Sequence, residues 1–122
     1  MKWYKLEEFA CKCGCGLNAP DNVLIERLET LCDLLNRKIP IHSACRCVKH
    51  NQEVGGSRTS SHLPNSSGLC QAVDGGVANS HESYEIVETA PKAGFTRIGV
   101  AATFVHLDID SNKPQEVLWL YS

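Results

Sequence analysis

The chain has 122 residues, 43% of them apolar and 21% charged, with a formal net charge of −2. That size supports one domain over residues 1–122 with a single modest core, and the composition excludes a disordered chain. No charge run points to nucleic acid or an anionic membrane surface, and no apolar run approaches the length of a membrane span.

The first segment, "MKWYKLEEFACKCGCG", is amphipathic and charged. It lacks the apolar centre of a secretory signal, so synthesis in a cytoplasm is expected. Seven cysteines follow in the chain, five of them in two tight groups, Cys11, Cys13 and Cys15 and then Cys45 and Cys47. In a reducing compartment these read as packed thiols, with a second, structural zinc between the two groups as the alternative. Their C-x-C spacing differs from the C-x-x-C of zinc ribbons.

Next comes "DNVLIERLETLCDLLNRK", whose leucines fall at helical spacing behind Asp21 as N-cap, with Pro40 as the stop. "IPIHSACR" reads as a strand, "VKHNQEVGG" as a short helix closed by Gly55 and Gly56, and "QAVDGG" as a strand stopped by its glycines. A helix is expected in "NSHESYEIVETAPKA", capped by Ser80 and ending near Pro91. The remainder reads as two or three strands, with turns at Ala101–Ala102 and around residues 112–114. Helices come first and an antiparallel sheet dominates the end, which is an α+β domain.

In "TFVHLDID" strand alternation sends Val105, Leu107 and Ile109 to the core and places His106 and Asp108 together on the other face. The polar stretch "SRTSSHLPNSSGLCQAVDGG" supplies a second imidazole, His62, and a carboxylate, Asp74. Alone, His62 is a surface loop residue and Asp74 an Asp-Gly turn. Together with His106 they are the two imidazoles and one carboxylate that hold a catalytic zinc and leave a position for water. The same set suits non-haem iron, although nothing in the sequence suggests a co-substrate pocket.

The stretch "SACRCVKHNQEVGGSRTSSHLPNSSGLCQAVDGG", followed by "GFTRIGVAATFVHLDID", resembles the peptidase M15 family. These are zinc D-Ala-D-Ala carboxypeptidases and related cell-wall peptidases with a hedgehog-like fold. The short phage and prophage versions are the most similar, and they also begin with a segment like "F-x-C-x-C-G-C-G". The resemblance runs from Phe9 to the "VLWLY" end and rests on Ser-x-x-Arg, Ser-x-His, Ala-x-Asp and Val-His-x-Asp in that order.

It implies a small α+β domain, an antiparallel sheet with helices packed on one side, acting as a monomer. It implies zinc on His62, Asp74 and His106, with Arg46 near the carboxylate and carbonyl of a peptidoglycan stem peptide. Two departures stand out. His62 and Asp74 are further apart than the family's usual spacing of about seven positions, so "PNSSGLCQ" reads as an enlarged loop beside the metal. Many members carry an acid three residues before the last histidine as general base, and Thr103 stands there.

Asp108 is the nearest substitute, as base or as a carboxylate orienting His106, with His81 and Glu82 as weaker candidates. The sequence thus supports a peptidoglycan peptidase, either carboxypeptidase or endopeptidase, that reaches the cell wall only once released from the cell. The alternatives are a non-catalytic zinc-binding domain of the same fold, serving in cell-wall or virion binding, and a metal or redox module built on Cys11, Cys13, Cys45 and Cys47.

Overall fold

The computed structural model describes residues 1–121. The elements in chain order are α1 (Asn22–Leu35), β1 (Ile41–Ser43), α2 (Val48–Glu53), β2 (Ala72–Gly76), α3 (Ser80–Thr89), β3 (Arg97–Val100), β4 (Phe104–Asp108) and β5 (Val117–Leu120). Single 3-10 turns lie at Leu6–Phe9 and Ala90–Ala93. The class is α+β, as expected. Among the described residues, no helix is long and apolar enough to cross a membrane.

α1 starts where Asp21 accepts the Val23 N–H at 2.8 Å, a cap of a kind that contributes about 1 kcal/mol. It ends at Asn36, left-handed at φ 55°, four residues before the expected stop at Pro40. Leu24, Leu28 and Leu31, spaced by four and three, are fully buried and form its inner stripe. α3 is capped by Asn79 instead of Ser80, its side chain accepting the Glu82 N–H at 3.0 Å. Pro91 lies inside the following 3-10 turn, where its missing N–H costs nothing.

The five strands run in the order β1-β2-β4-β3-β5. The first three pairings are antiparallel, but β5 runs parallel to β3, so the sheet is mixed. One face buries Val73, Val105, Leu107 and Ile98 in the core with the leucines of α1 and Ile86 of α3. The opposite face carries the polar residues of the same strands.

The glycines of "DGG" do not stop β2 but lie within it. A Cβ on Gly75 would fall 2.6 Å from Ile39 Cγ2, and one on Gly76 would fall 2.2 Å from His42 Nε2. Glycine there lets the adjoining segment, Ile39 to His42, close over the strand.

Candidate metal centre

Cross-strand register builds the site. Asp74 of β2 pairs with His106 of β4, which pairs with Gly99 of β3, which pairs with Trp119 of β5. The next row is Ala72, Asp108, Arg97 and Val117. Residues two apart on a strand share a face, so His106 and Asp108 stand side by side with Asp74 and Arg97 flanking them. Both polar rows are buried: Asp74 and His106 are each 5% exposed and Asp108 is 1% exposed.

His62 arrives from the loop between α2 and β2 and is 2% exposed. Its backbone is fixed by the Ser60 hydroxyl, which accepts the His62 N–H at 3.2 Å, and by its own carbonyl, which accepts the Arg46 N–H at 3.0 Å. Ser60 therefore shapes the loop. The added residues fold into a compact turn closed by Asn65, whose side chain accepts the N–H groups of Ser67 and Leu69. None of residues 63–70 lines the main cleft; Leu63, Pro64 and Asn65 line a neighbouring hollow.

Three donor atoms converge. His62 Nε2 lies 3.1 Å and His106 Nδ1 2.9 Å from the same oxygen, Asp74 Oδ1. The outer nitrogen of each ring is also fixed. His62 Nδ1 sits 2.7 Å from the Ala44 carbonyl, and His106 Nε2 sits 2.7 Å from Asp108 Oδ2. With those outer nitrogens protonated, both inward nitrogens present lone pairs to a cation, the usual arrangement behind metal-ligating histidines. The three side chains can therefore hold one metal ion. Two imidazoles and a carboxylate are also the right donors for a metal that keeps an open position.

Electrostatics agree with this geometry. Burial disfavours a charged imidazole at both histidines. At His62 it outweighs the pull of Asp74 and holds the ring below its ordinary pKa, neutral and ready to donate a lone pair. At His106 the hydrogen bonds to Asp108 and Asp74 outweigh burial and hold the ring above its ordinary value. Burial alone would raise Asp74, but its bonds from His106 and His62 keep it well below the usual carboxylate range. The carboxylate is thus charged across the whole physiological range.

Asp108 is occupied on both oxygens. Oδ2 holds His106, while Oδ1 accepts from Arg97 Nε at 2.7 Å and from the Asp110 N–H at 3.1 Å. Of the two roles the sequence leaves open for it, this is the geometry of the orienting carboxylate. Thr103 lies in the exposed turn before β4, its carbonyl accepting the Val77 N–H. His81 and Glu82, at the start of α3, do not line the cleft, and Glu82 instead caps the Ala78 N–H.

The donors open into a cleft of about 330 Å³. Arg46 lies on its wall, donating Nε–H to Ser43 Oγ at 3.0 Å, one terminal nitrogen to Asn51 Oδ1 at 3.3 Å and the other to Asp74 Oδ2 at 3.2 Å. Those bonds use three of the five guanidinium N–H groups and leave two for a ligand. Gly56 makes room for this cluster, since a Cβ there would fall 2.1 Å from Asn51 Oδ1 and 3.0 Å from Arg46 Nη1.

The sequence reading missed Arg97, Lys113, Trp119 and Tyr121, all on the cleft wall. Trp119 and Tyr121 approach the His106 ring with centroid distances of 5.4 and 6.3 Å. The Arg97 guanidinium sits 5.0 Å from the Trp119 ring centre. Gly99 makes this possible: a Cβ there would meet Trp119 Nε1 at 2.6 Å and Tyr121 Cε2 at 2.7 Å. Alternation in "TRIGV" does place Arg97 and Gly99 on one face, but only the strand pairing shows that this face is the cleft.

No curated protein shows a significant match to the sequence. A family model described as Peptidase M15 matches residues 2–108, which takes in Arg46, His62, Asp74, His106 and Asp108 and stops short of β5. That match covers most of the chain and suggests a metallopeptidase. The chain belongs to the peptidase M15 family.

Proposed function

We propose that this protein is a zinc-dependent peptidase that hydrolyses peptidoglycan stem peptides, as a D-Ala-D-Ala carboxypeptidase or a related cell-wall endopeptidase. The observation carrying this reading is the convergence of His62 Nε2, Asp74 Oδ1 and His106 Nδ1 at the floor of an open cleft, in a chain of the M15 family. These atoms would hold the zinc. When bound, it would polarise the scissile carbonyl and lower the pKa of a water to about 7.

The chain's own residues supply the rest. Ala44 and Asp108 lock the imidazoles in their donating orientation. Arg46 directs its two remaining N–H groups at a substrate carboxylate or carbonyl, where a guanidinium makes parallel hydrogen bonds. Lys113 adds a third cationic side chain to the wall beside Arg46 and Arg97, tethered to the Thr59 carbonyl and to Ser61 Oγ. Trp119 and Tyr121 offer an apolar shelf beside His106 for the substrate's aliphatic side chains.

One observation favours a non-catalytic binding domain of the same fold. The only carboxylates lining the cleft, among the described residues, are Asp74 and Asp108, and both are already engaged. A missing general base typically costs about 10²–10⁴-fold, so a low turnover is expected of the enzyme. Incubation of the zinc-loaded protein with purified peptidoglycan, followed by mass spectrometry of released peptides, separates the two readings. New peptide termini that disappear with a chelator support the peptidase. Retention on peptidoglycan without any cleavage supports the binding domain.

A further inference from the structure

The cysteines divide into two sets. Cys32, Cys45 and Cys70 are buried, and Cys32 lies 3.2 Å from the Tyr4 hydroxyl in the core. Packing accounts for them. The other four, Cys11, Cys13, Cys15 and Cys47, bring their sulfurs within 4.8 Å of one another, although Cys13 and Cys15 are exposed. Cys15 thus takes the place expected of Cys45: Cys45 is buried, while Cys47 caps α2 and its sulfur joins the group.

The spacing is that of a coordination shell. Cys11 Sγ lies 3.4 Å from Cys13 Sγ, which lies 3.7 Å from Cys47 Sγ. A tetrahedral site with zinc–sulfur bonds of about 2.3 Å has sulfur–sulfur edges of about 3.8 Å. An extended strand would separate alternate thiols by about 7 Å. Here the segment is wound instead, through Gly14 at φ 80° and Gly16 at φ 94°. A Cβ on either glycine would meet nothing within 4 Å, so the left-handed backbone is what requires glycine there.

Backbone donors also face the sulfurs. The Cys47 N–H points at Cys11 Sγ at 3.4 Å, and the His50 N–H points at Cys47 Sγ at 3.3 Å, where Cys47 caps α2. Such donors stabilise sulfur in its charged, metal-binding form.

We propose that Cys11, Cys13, Cys15 and Cys47 bind a second zinc ion with a structural role. Four thiolates select a soft tetrahedral ion and fill its coordination shell, leaving no place for water. The four thiols release their protons as the ion binds. The ion would tie the N-terminal loop to the start of α2, next to Arg46. It would work alongside the Cys45 N–H bond to the Phe9 carbonyl at 3.1 Å, the backbone link already present there. The site is independent of the His62, Asp74 and His106 centre and of whether that centre is catalytic.

The test is zinc content per chain in the full-length protein purified with a reductant. Parallel measurements use the Cys13→Ser/Cys15→Ser double variant and His106→Ala. Two zinc ions are expected in the parent and one in each variant. Cobalt(II) replacement gives a second readout: a thiolate-to-cobalt charge-transfer absorption should appear in the parent and in His106→Ala and be absent from the double cysteine variant. Zinc content unchanged in a folded double variant would overturn the proposal. Should that variant fail to fold, lack of the thiolate absorption in the cobalt-loaded parent would overturn it equally.

Discussion

The two donor clusters of this small domain are built in opposite ways. His62, Asp74 and His106 sit almost fully buried on the central strands, each imidazole braced from behind, and they open into a cleft. Cys11, Cys13, Cys15 and Cys47 sit on a wound loop and a helix cap, two of them exposed, and use all four donors on one another's centre. A reactive metal needs rigid ligands, an oriented outer shell and a vacant position; a staple needs only a closed set of donors in a loop that would otherwise be loose. The sheet supplies the first set of conditions and the loop the second.

The comparison breaks most completely at His106. His106→Ala should empty the buried centre of zinc and reduce peptidoglycan hydrolysis to background while leaving the cysteine-bound ion in place, as metal analysis and a peptide-release assay would show. Arg46→Ala comes next, with an expected fall in kcat/KM of about 10²–10³-fold, the scale of losing one preorganised donor. Arg46→Lys should recover only part of it, since an ammonium cannot reproduce the planar fork.

Asp108→Asn tests the bracing. Loss of such an orienting carboxylate typically costs about 10–100-fold in metal affinity or activity, measurable by competition with a chromophoric chelator. The same variant reports on pH. Burial raises the Asp108 pKa, but its hydrogen bond with His106 and the neighbouring charges outweigh this and depress it. A carboxylate depressed below its unfolded value of about 3.9 stabilises the fold above that pH, and the contribution is lost as pH falls through the folded-state pKa. Urea denaturation of the metal-free protein should therefore show a flatter acid limb in Asp108→Asn. At His106 the sign is opposite: its raised pKa lets protons compete with zinc, so mild acidification should release the ion from this centre.

Gly99→Val should have the smallest effect. A side chain there collides with Trp119 and Tyr121, and overpacking of this kind costs about 1–3 kcal/mol. The expected signature is a lowered Tm and a raised KM with zinc content unchanged.

How much of this was legible in the sequence follows from the range of the interactions. The spacing of Leu24, Leu28 and Leu31 in α1 and the alternation of "FVHLD" are local, and both appear in the structure as read, although Leu34 of the same helix pattern is exposed. The gathering of His62, Asp74 and His106 was also legible, because the motif order ties distant segments to one known arrangement. The shelf of Trp119 and Tyr121 was not. β5 joins β3 in parallel, with no hairpin to set its register, and its aromatics lie over His106 only because Gly99 intervenes. Arg97 was hidden for the same reason. Cys15 was left out of the four-cysteine module because the left-handed turns at Gly14 and Gly16 that wind this loop cannot be read from the C-x-C spacing.

The most direct measurement is a crystal structure of the zinc-loaded protein with anomalous data collected across the zinc absorption edge. The expected map has a zinc peak bonded to His62 Nε2, Asp74 Oδ1 and His106 Nδ1, with its remaining position facing the cleft and filled by solvent. No peak at that centre, or a peak whose fourth ligand is a protein side chain, would contradict a hydrolytic metal site.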